Sequence, residues 1–61
     1  MFKALYFVGE NPMRSIVLGS ENKEDALDEA LAMAQATENH IVVFDGDKAI
    51  AETEREGVEL E

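Results

Sequence analysis

Apolar and polar residues alternate along the chain in two rhythms, and the change of rhythm marks out the elements. Phe2-Lys3-Ala4-Leu5-Tyr6-Phe7-Val8 is aromatic and β-branched, which predicts a strand. Gly9-Glu10-Asn11-Pro12 is a turn cluster, and Arg14-Ser15-Ile16-Val17-Leu18 resumes as a second strand closed by Gly19-Ser20. The short connection predicts an antiparallel hairpin. From Lys23 the spacing becomes helical: Ala26, Leu27, Ala30, Leu31 and Ala34 share one stripe, with Met33 beside it. Asn22 is the expected N-cap, with Ser20 as the alternative, and Asn39 the expected stop. His40-Ile41-Val42-Val43-Phe44 reads as a third strand. Asp45-Gly46-Asp47 is a hairpin signal, and Lys48 to Thr53 a weaker fourth strand.

These elements predict a two-layer α+β domain over residues 1–53, with one helix on a four-stranded, mostly antiparallel sheet in the order β-β-α-β-β. Strand order 2-1-3-4 puts the most apolar strands in the centre. Residues 54–61 are rich in Glu and are expected to fray as an acidic tail. Leu60-Glu61 also has the sequence of a cloning remnant and carries no functional weight.

One helix covers one face of a sheet, so the strands should be apolar on that face alone. They are apolar on both. Phe2, Ala4, Tyr6 and Val8 oppose Leu5 and Phe7; Val42 and Phe44 oppose Ile41 and Val43; Ile16 and Leu18 oppose Val17. The second face therefore needs a cover, and a homodimer is the expected one. Leu5, Phe7, Leu27, Leu31 and Ala34 are assigned to the core. Phe2, Tyr6 and Val8 are assigned outward as the interface.

Size and charge sharpen that expectation. The chain has 61 residues and no cysteine, so neither disulfides nor thiolate metal sites contribute to its stability. A domain this small buries only about 60% of its unfolded surface, which makes association a natural source of stability. The net charge is −9. Residues 1–20 hold Lys3 and Arg14 against Glu10, so the acidity lies in the helix and beyond. That sign disfavours direct contact with nucleic acid or anionic membrane and favours a basic protein partner. No apolar run reaches the ~20 residues of a membrane span, and no leader pattern precedes the first strand, so a cytoplasmic location is expected.

Little in the chain suggests catalysis. His40 is the only histidine and has no cysteine partner, so neither a catalytic role nor a metal is expected there. Ser15 and Ser20 lack the setting of a nucleophile. Asp45 and Asp47 read as turn residues, lacking the spaced acids of a calcium loop. Gly9 and Gly19 are isolated, without a phosphate loop. No cofactor is expected. Glu21, Glu24, Asp25, Asp28 and Glu29 form an acidic helix face, read as solvated surface or as the docking place of a basic partner.

Asn22-Lys23-Glu24-Asp25-Ala26-Leu27 opening the helix, followed by an apolar strand and Asp-Gly, resembles small uncharacterised bacterial and phage domains of this layout. The resemblance covers most of the chain and implies a fold without an activity. The first strand together with Glu24-Asp25-Ala26-Leu27-Asp28-Glu29-Ala30 also resembles HicB-type antitoxin domains, which carry a similar acidic Ala-Leu helix. Two functions follow as expectations: a non-enzymatic interaction module that dimerises through its sheet, or an acidic inhibitor that occupies a partner's basic nucleic-acid-binding surface.

Overall fold

A computed structural model describes all residues, 1–61. Strand β1 runs over Phe2–Val8, β2 over Asn11–Val17, β3 over His40–Asp45, β4 over Lys48–Glu54 and β5 over Gly57–Leu60; helix α1 spans Lys23–Thr37. The five strands form one sheet in the order β2-β1-β3-β4-β5, antiparallel throughout. The expected order 2-1-3-4 is present, extended by a strand.

That fifth strand corrects the frayed tail. Thr53 pairs with Val58 and Ala51 with Leu60, so residues 57–60 form an edge of the sheet. Val58 and Leu60 alternate with Glu59 and Glu61, which is a strand pattern under an acidic composition.

Local chemistry sets the turns and caps. Gly9 and Gly46 turn the β1-β2 and β3-β4 hairpins at φ 65° and 64°, a region that glycine enters without a Cβ clash. Asn22 caps α1 from an extended conformation, its Oδ1 accepting from the Glu24 and Asp25 amides. Ser20 sits behind it, its Oγ accepting from the Asn22 amide at 3.1 Å. The helix stops one residue before Asn39: Glu38 takes the left-handed conformation at φ 59°.

The core lies between α1 and one face of the sheet. Ala26, Ala30 and Ala34, one per turn, form the buried spine of the helix. Beneath it lie Phe2, Ala4, Ile41, Val43 and Ala51, with Leu18 at the end. Leu27 and Met33 flank the spine as partly buried partners, and Leu31 is half-buried rather than central. Thr53 is the one fully buried polar side chain, and its hydroxyl donates to the Ile41 carbonyl at 3.2 Å, with the Ala30 carbonyl 3.4 Å away. No buried side-chain polar atom lacks a partner. No helix is long and apolar enough to cross a membrane.

The parity assigned to β1 is inverted. Ala4 pairs with Val43 and Tyr6 with Ile41, and directly paired residues share a face. Because Ile41 and Val43 are buried under α1, Phe2, Ala4 and Tyr6 turn to the helix, while Lys3, Leu5 and Phe7 turn away. Phe2 is only 8% exposed, so it is core and not interface. An alanine spine lets the helix come close, which suits a small residue such as Ala4 beneath it.

Candidate interaction face

The face opposite α1 is assembled from alternate residues of all five strands. Along β2 it presents Val17 and Ser15, which pair with Lys3 and Leu5 of β1. Lys3, Leu5 and Phe7 pair in turn with Phe44, Val42 and His40 of β3. Val42 pairs with Glu52 of β4, and Glu52 with Glu59 of β5. An irregularity after Val43 sets Ala49 opposite Phe44 and leaves Ile50 against the core.

Reading across the strands, the face divides in two. The β2-β1-β3 half carries Val17, Leu5, Phe7, Val42 and Phe44. No element of the chain packs over it. The β4-β5 half carries Glu52, Glu54, Glu59 and Glu61. Leu5, Phe7, Val42 and Phe44 shield one another and are half-buried, whereas Val17 at the edge is 59% exposed. Lys3, Leu5, Ser15, Phe44, Gly46 and Asp47 line a shallow open hollow of about 230 Å³ at one end of the apolar half.

His40 stands on the boundary. Its ring meets Phe7 edge-on at 5.8 Å, on the apolar side. On the other side Nε2 lies 2.8 Å from Glu52 Oε1 and Nδ1 lies 3.0 Å from Glu54 Oε1. Both nitrogens face carboxylate oxygens, and only the imidazolium donates from both. The histidine thus ties β3 to β4. The arrangement holds neither a nucleophile nor a cluster suited to a metal ion.

At the far edge, Glu61 lies against Glu52. The hydrogen bond to the Glu52 carboxyl, and then the charge of that group, raise the pKa of Glu61 above the ordinary carboxylate value. The main chain holds this contact in place, since the Glu61 amide donates to the Ile50 carbonyl at 3.0 Å.

The other assigned residues lie elsewhere. Tyr6 is on the helix side, where its hydroxyl accepts from Asn39 Nδ2 at 2.8 Å. Val8 has the same parity and stands 47% exposed at the strand end, away from the uncovered face. Glu21, Glu24, Asp25, Asp28 and Glu29 are all exposed, with Glu24 and Asp25 in the first turn of α1, where acids complement the helix dipole. Asp45 and Asp47 flank the Gly46 turn, and Asp45 Oδ1 lies 3.9 Å from the chain's amino terminus.

Sequence reasoning missed the acidic half of the sheet face. Its signal is the spacing of Glu52 with Glu54 and of Glu59 with Glu61, two residues apart in each pair, which places each pair on one side of a strand. No protein family, curated protein or solved structure matches the chain.

Proposed function

We propose that this protein is a non-enzymatic interaction module that works through the sheet face opposite α1. One observation carries the reading: Leu5, Phe7, Val42 and Phe44 form a contiguous apolar block on adjacent central strands, with no element of the chain packed over it. Contiguous apolar surface of this kind marks a contact site in a soluble domain. The acidic border favours the orientation of a partner rather than chemistry, because no nucleophile with a base stands near it.

Leu5→Glu tests the reading. The substitution lies outside the core, so the domain should keep its dispersed amide spectrum. It should lose every association the wild type makes, whether with itself or with another protein. A variant that retains all those associations removes the face from consideration.

A second reading rests on the acidic half. Glu52, Glu54, Glu59 and Glu61 would present a carboxylate array to a basic, nucleic-acid-binding surface of a toxin or nuclease. Under that reading a basic protein is retained in a salt-sensitive manner, and the double change Glu52→Lys with Glu59→Lys abolishes retention while Leu5→Glu does not.

A further inference from the structure

We infer that the occupant of the apolar half is a second copy of this chain, stacked face to face on a two-fold axis that runs along the strands near β1. The inference rests on the interaction-module reading and adds its partner and geometry. It follows from how the face is divided. An apolar half on strands β2, β1 and β3 beside an acidic half on β4 and β5 permits only an offset stack.

Consider first the two sheets superposed in full. With the axis across the strands, Glu52, Glu54, Glu59 and Glu61 of one copy face the same acids of the other at the ~10 Å that separates packed sheets, close to the screening length of ~8 Å at physiological salt. With the axis along the central strand β3, the same four acids lie over the partner's apolar β1 and β2 strands and lose their water without gaining a partner.

Place the axis near β1 instead. Each β1 now lies over its counterpart, each β2 lies over the partner's β3, and the β4 and β5 strands project beyond the partner's edge at opposite ends. With strands ~4.8 Å apart, the two β4 strands are separated by about 19 Å and the two β5 strands by about 29 Å. Both distances exceed the screening length more than twofold. The acids keep their water, and only the apolar half is covered. Lys3, the one cation on that half, stands at its end beside the Asp47 turn, where its ammonium remains in solvent.

The area suits a modest dimer. Three strands of six to seven residues make a footprint of about 14 by 20 Å, roughly 280 Å² on each copy and on the order of 600 Å² on both together. That is below the ~1,200 Å² at which standard interfaces begin, so the dimer is a weak one that forms toward high protein concentration. Val17, the most exposed apolar side chain that the pairing places on this face, lies on β2, the strand that the stack carries over the partner's β3.

Because the chain has no cysteine, single cysteines report the geometry directly. Sedimentation equilibrium at tens to hundreds of micromolar and moderate salt should give a mass approaching twice 6.7 kDa. Leu5→Cys, treated with a bifunctional thiol reagent spanning about the ~10 Å between packed sheets, should yield cross-linked dimer, and Glu59→Cys should yield none. Val17→Glu changes an exposed side chain without disturbing the core, and should raise the dissociation constant at least about tenfold. A folded monomer throughout that concentration range overturns self-association, yet leaves the interaction-module reading standing if Leu5→Glu still abolishes binding to a different protein. Efficient cross-linking through Glu59→Cys, or a dimer indifferent to Val17→Glu, overturns the offset stack.

Discussion

Asn39 Nδ2 donates a 2.8 Å hydrogen bond to the hydroxyl of Tyr6, joining the segment that follows α1 to the underside of β1. The bond holds the polar end of an otherwise apolar side chain at the rim of the core, so β1 keeps Phe2, Ala4 and Tyr6 beneath the helix. Thr37, one residue before the left-handed Glu38, lies at the same rim.

The first prediction concerns that phenol. The Thr37 side chain, and after it Asn39, hold the Tyr6 pKa below its ordinary value of 10.0 by favouring the phenolate. A depressed folded-state pKa adds stability that is present above 10 and is lost as pH falls through the folded value. Tyr6 is the only tyrosine and the chain has no tryptophan, so ultraviolet absorbance follows this single group. Its titration should fall below 10 and move back up in Thr37→Val and Asn39→Ala. A midpoint at the ordinary value in the wild type refutes the arrangement. Tyr6→Phe should leave any self-association unchanged, because the side chain is on the helix side.

A second prediction follows from the helix stop. Glu38 is the one non-glycine residue with positive φ, a conformation that costs an L-residue roughly 1 kcal/mol or more. Its ion pair with Arg55, 2.9 Å between exposed side chains, returns little of that. Glu38→Gly removes both the Cβ strain and the pair, and should stabilise the domain by about 0.5–1 kcal/mol after the added freedom of the unfolded chain. Thermal unfolding checks it, and a lower midpoint would show that the Arg55 contact outweighs the strain.

Much of this fold was legible in the sequence where a single residue has one good role. Asn22 before an acidic first turn leaves little choice but an N-cap, and Asp45-Gly46-Asp47 between apolar runs gives a hairpin. The parity of β1 was not legible, because both of its faces are apolar. Continuity of the helix-facing set argued for Leu5 and Phe7 in the core, whereas the deciding fact is long-range: Ile41 and Val43 pair with Tyr6 and Ala4. Strand β5 was hidden for a similar reason. Four residues with two exposed apolar side chains have weak intrinsic preference, and only the pairing of Glu52 with Glu59 and Thr53 with Val58 orders them. The spacing of Glu52 with Glu54 and of Glu59 with Glu61 put each pair on one side of its strand, and only the pairing of β5 with β4 joins the two pairs into one acidic half.

The helix spine makes a third prediction. Ala30 is fully buried over Thr53, whose hydroxyl lies 3.4 Å from the Ala30 carbonyl. Ala30→Leu forces extra methylenes into a contact closed by small residues and should cost about 1–3 kcal/mol or more. Leu31, half-buried on the flank, should tolerate Leu31→Ala at a smaller loss. Chemical denaturation of the two variants compares them directly. A larger loss in Leu31→Ala would restore the leucine-centred register that the stripe of Ala26, Leu27, Ala30, Leu31 and Ala34 suggests on its own.

The acidic edge should respond to pH in the opposite sense to most carboxylate contacts. Glu61 has its pKa raised by the adjoining Glu52, first through the hydrogen bond that its protonated form makes and then through repulsion between the charged forms. In the folded state Glu61 therefore holds its proton more tightly than in the unfolded chain. The stabilisation from that proton is fully present below the ordinary value of 4.5 and is lost as pH rises through the raised folded value. At neutral pH the two carboxylates repel, and the pairing of β5 with β4 is weakened at its last residues. Exchange of the Glu61 amide, which donates to the Ile50 carbonyl, reads the effect. After correction for intrinsic rates, its protection should rise as pH falls from 7 toward 4.5. Glu61→Gln keeps a donor toward Glu52 without the charge, so it should show high protection at neutral pH and little change on acidification. The same flat profile in the wild type would mean that Glu61 and Glu52 do not share a proton, and that β5 is held by its main-chain ladder alone.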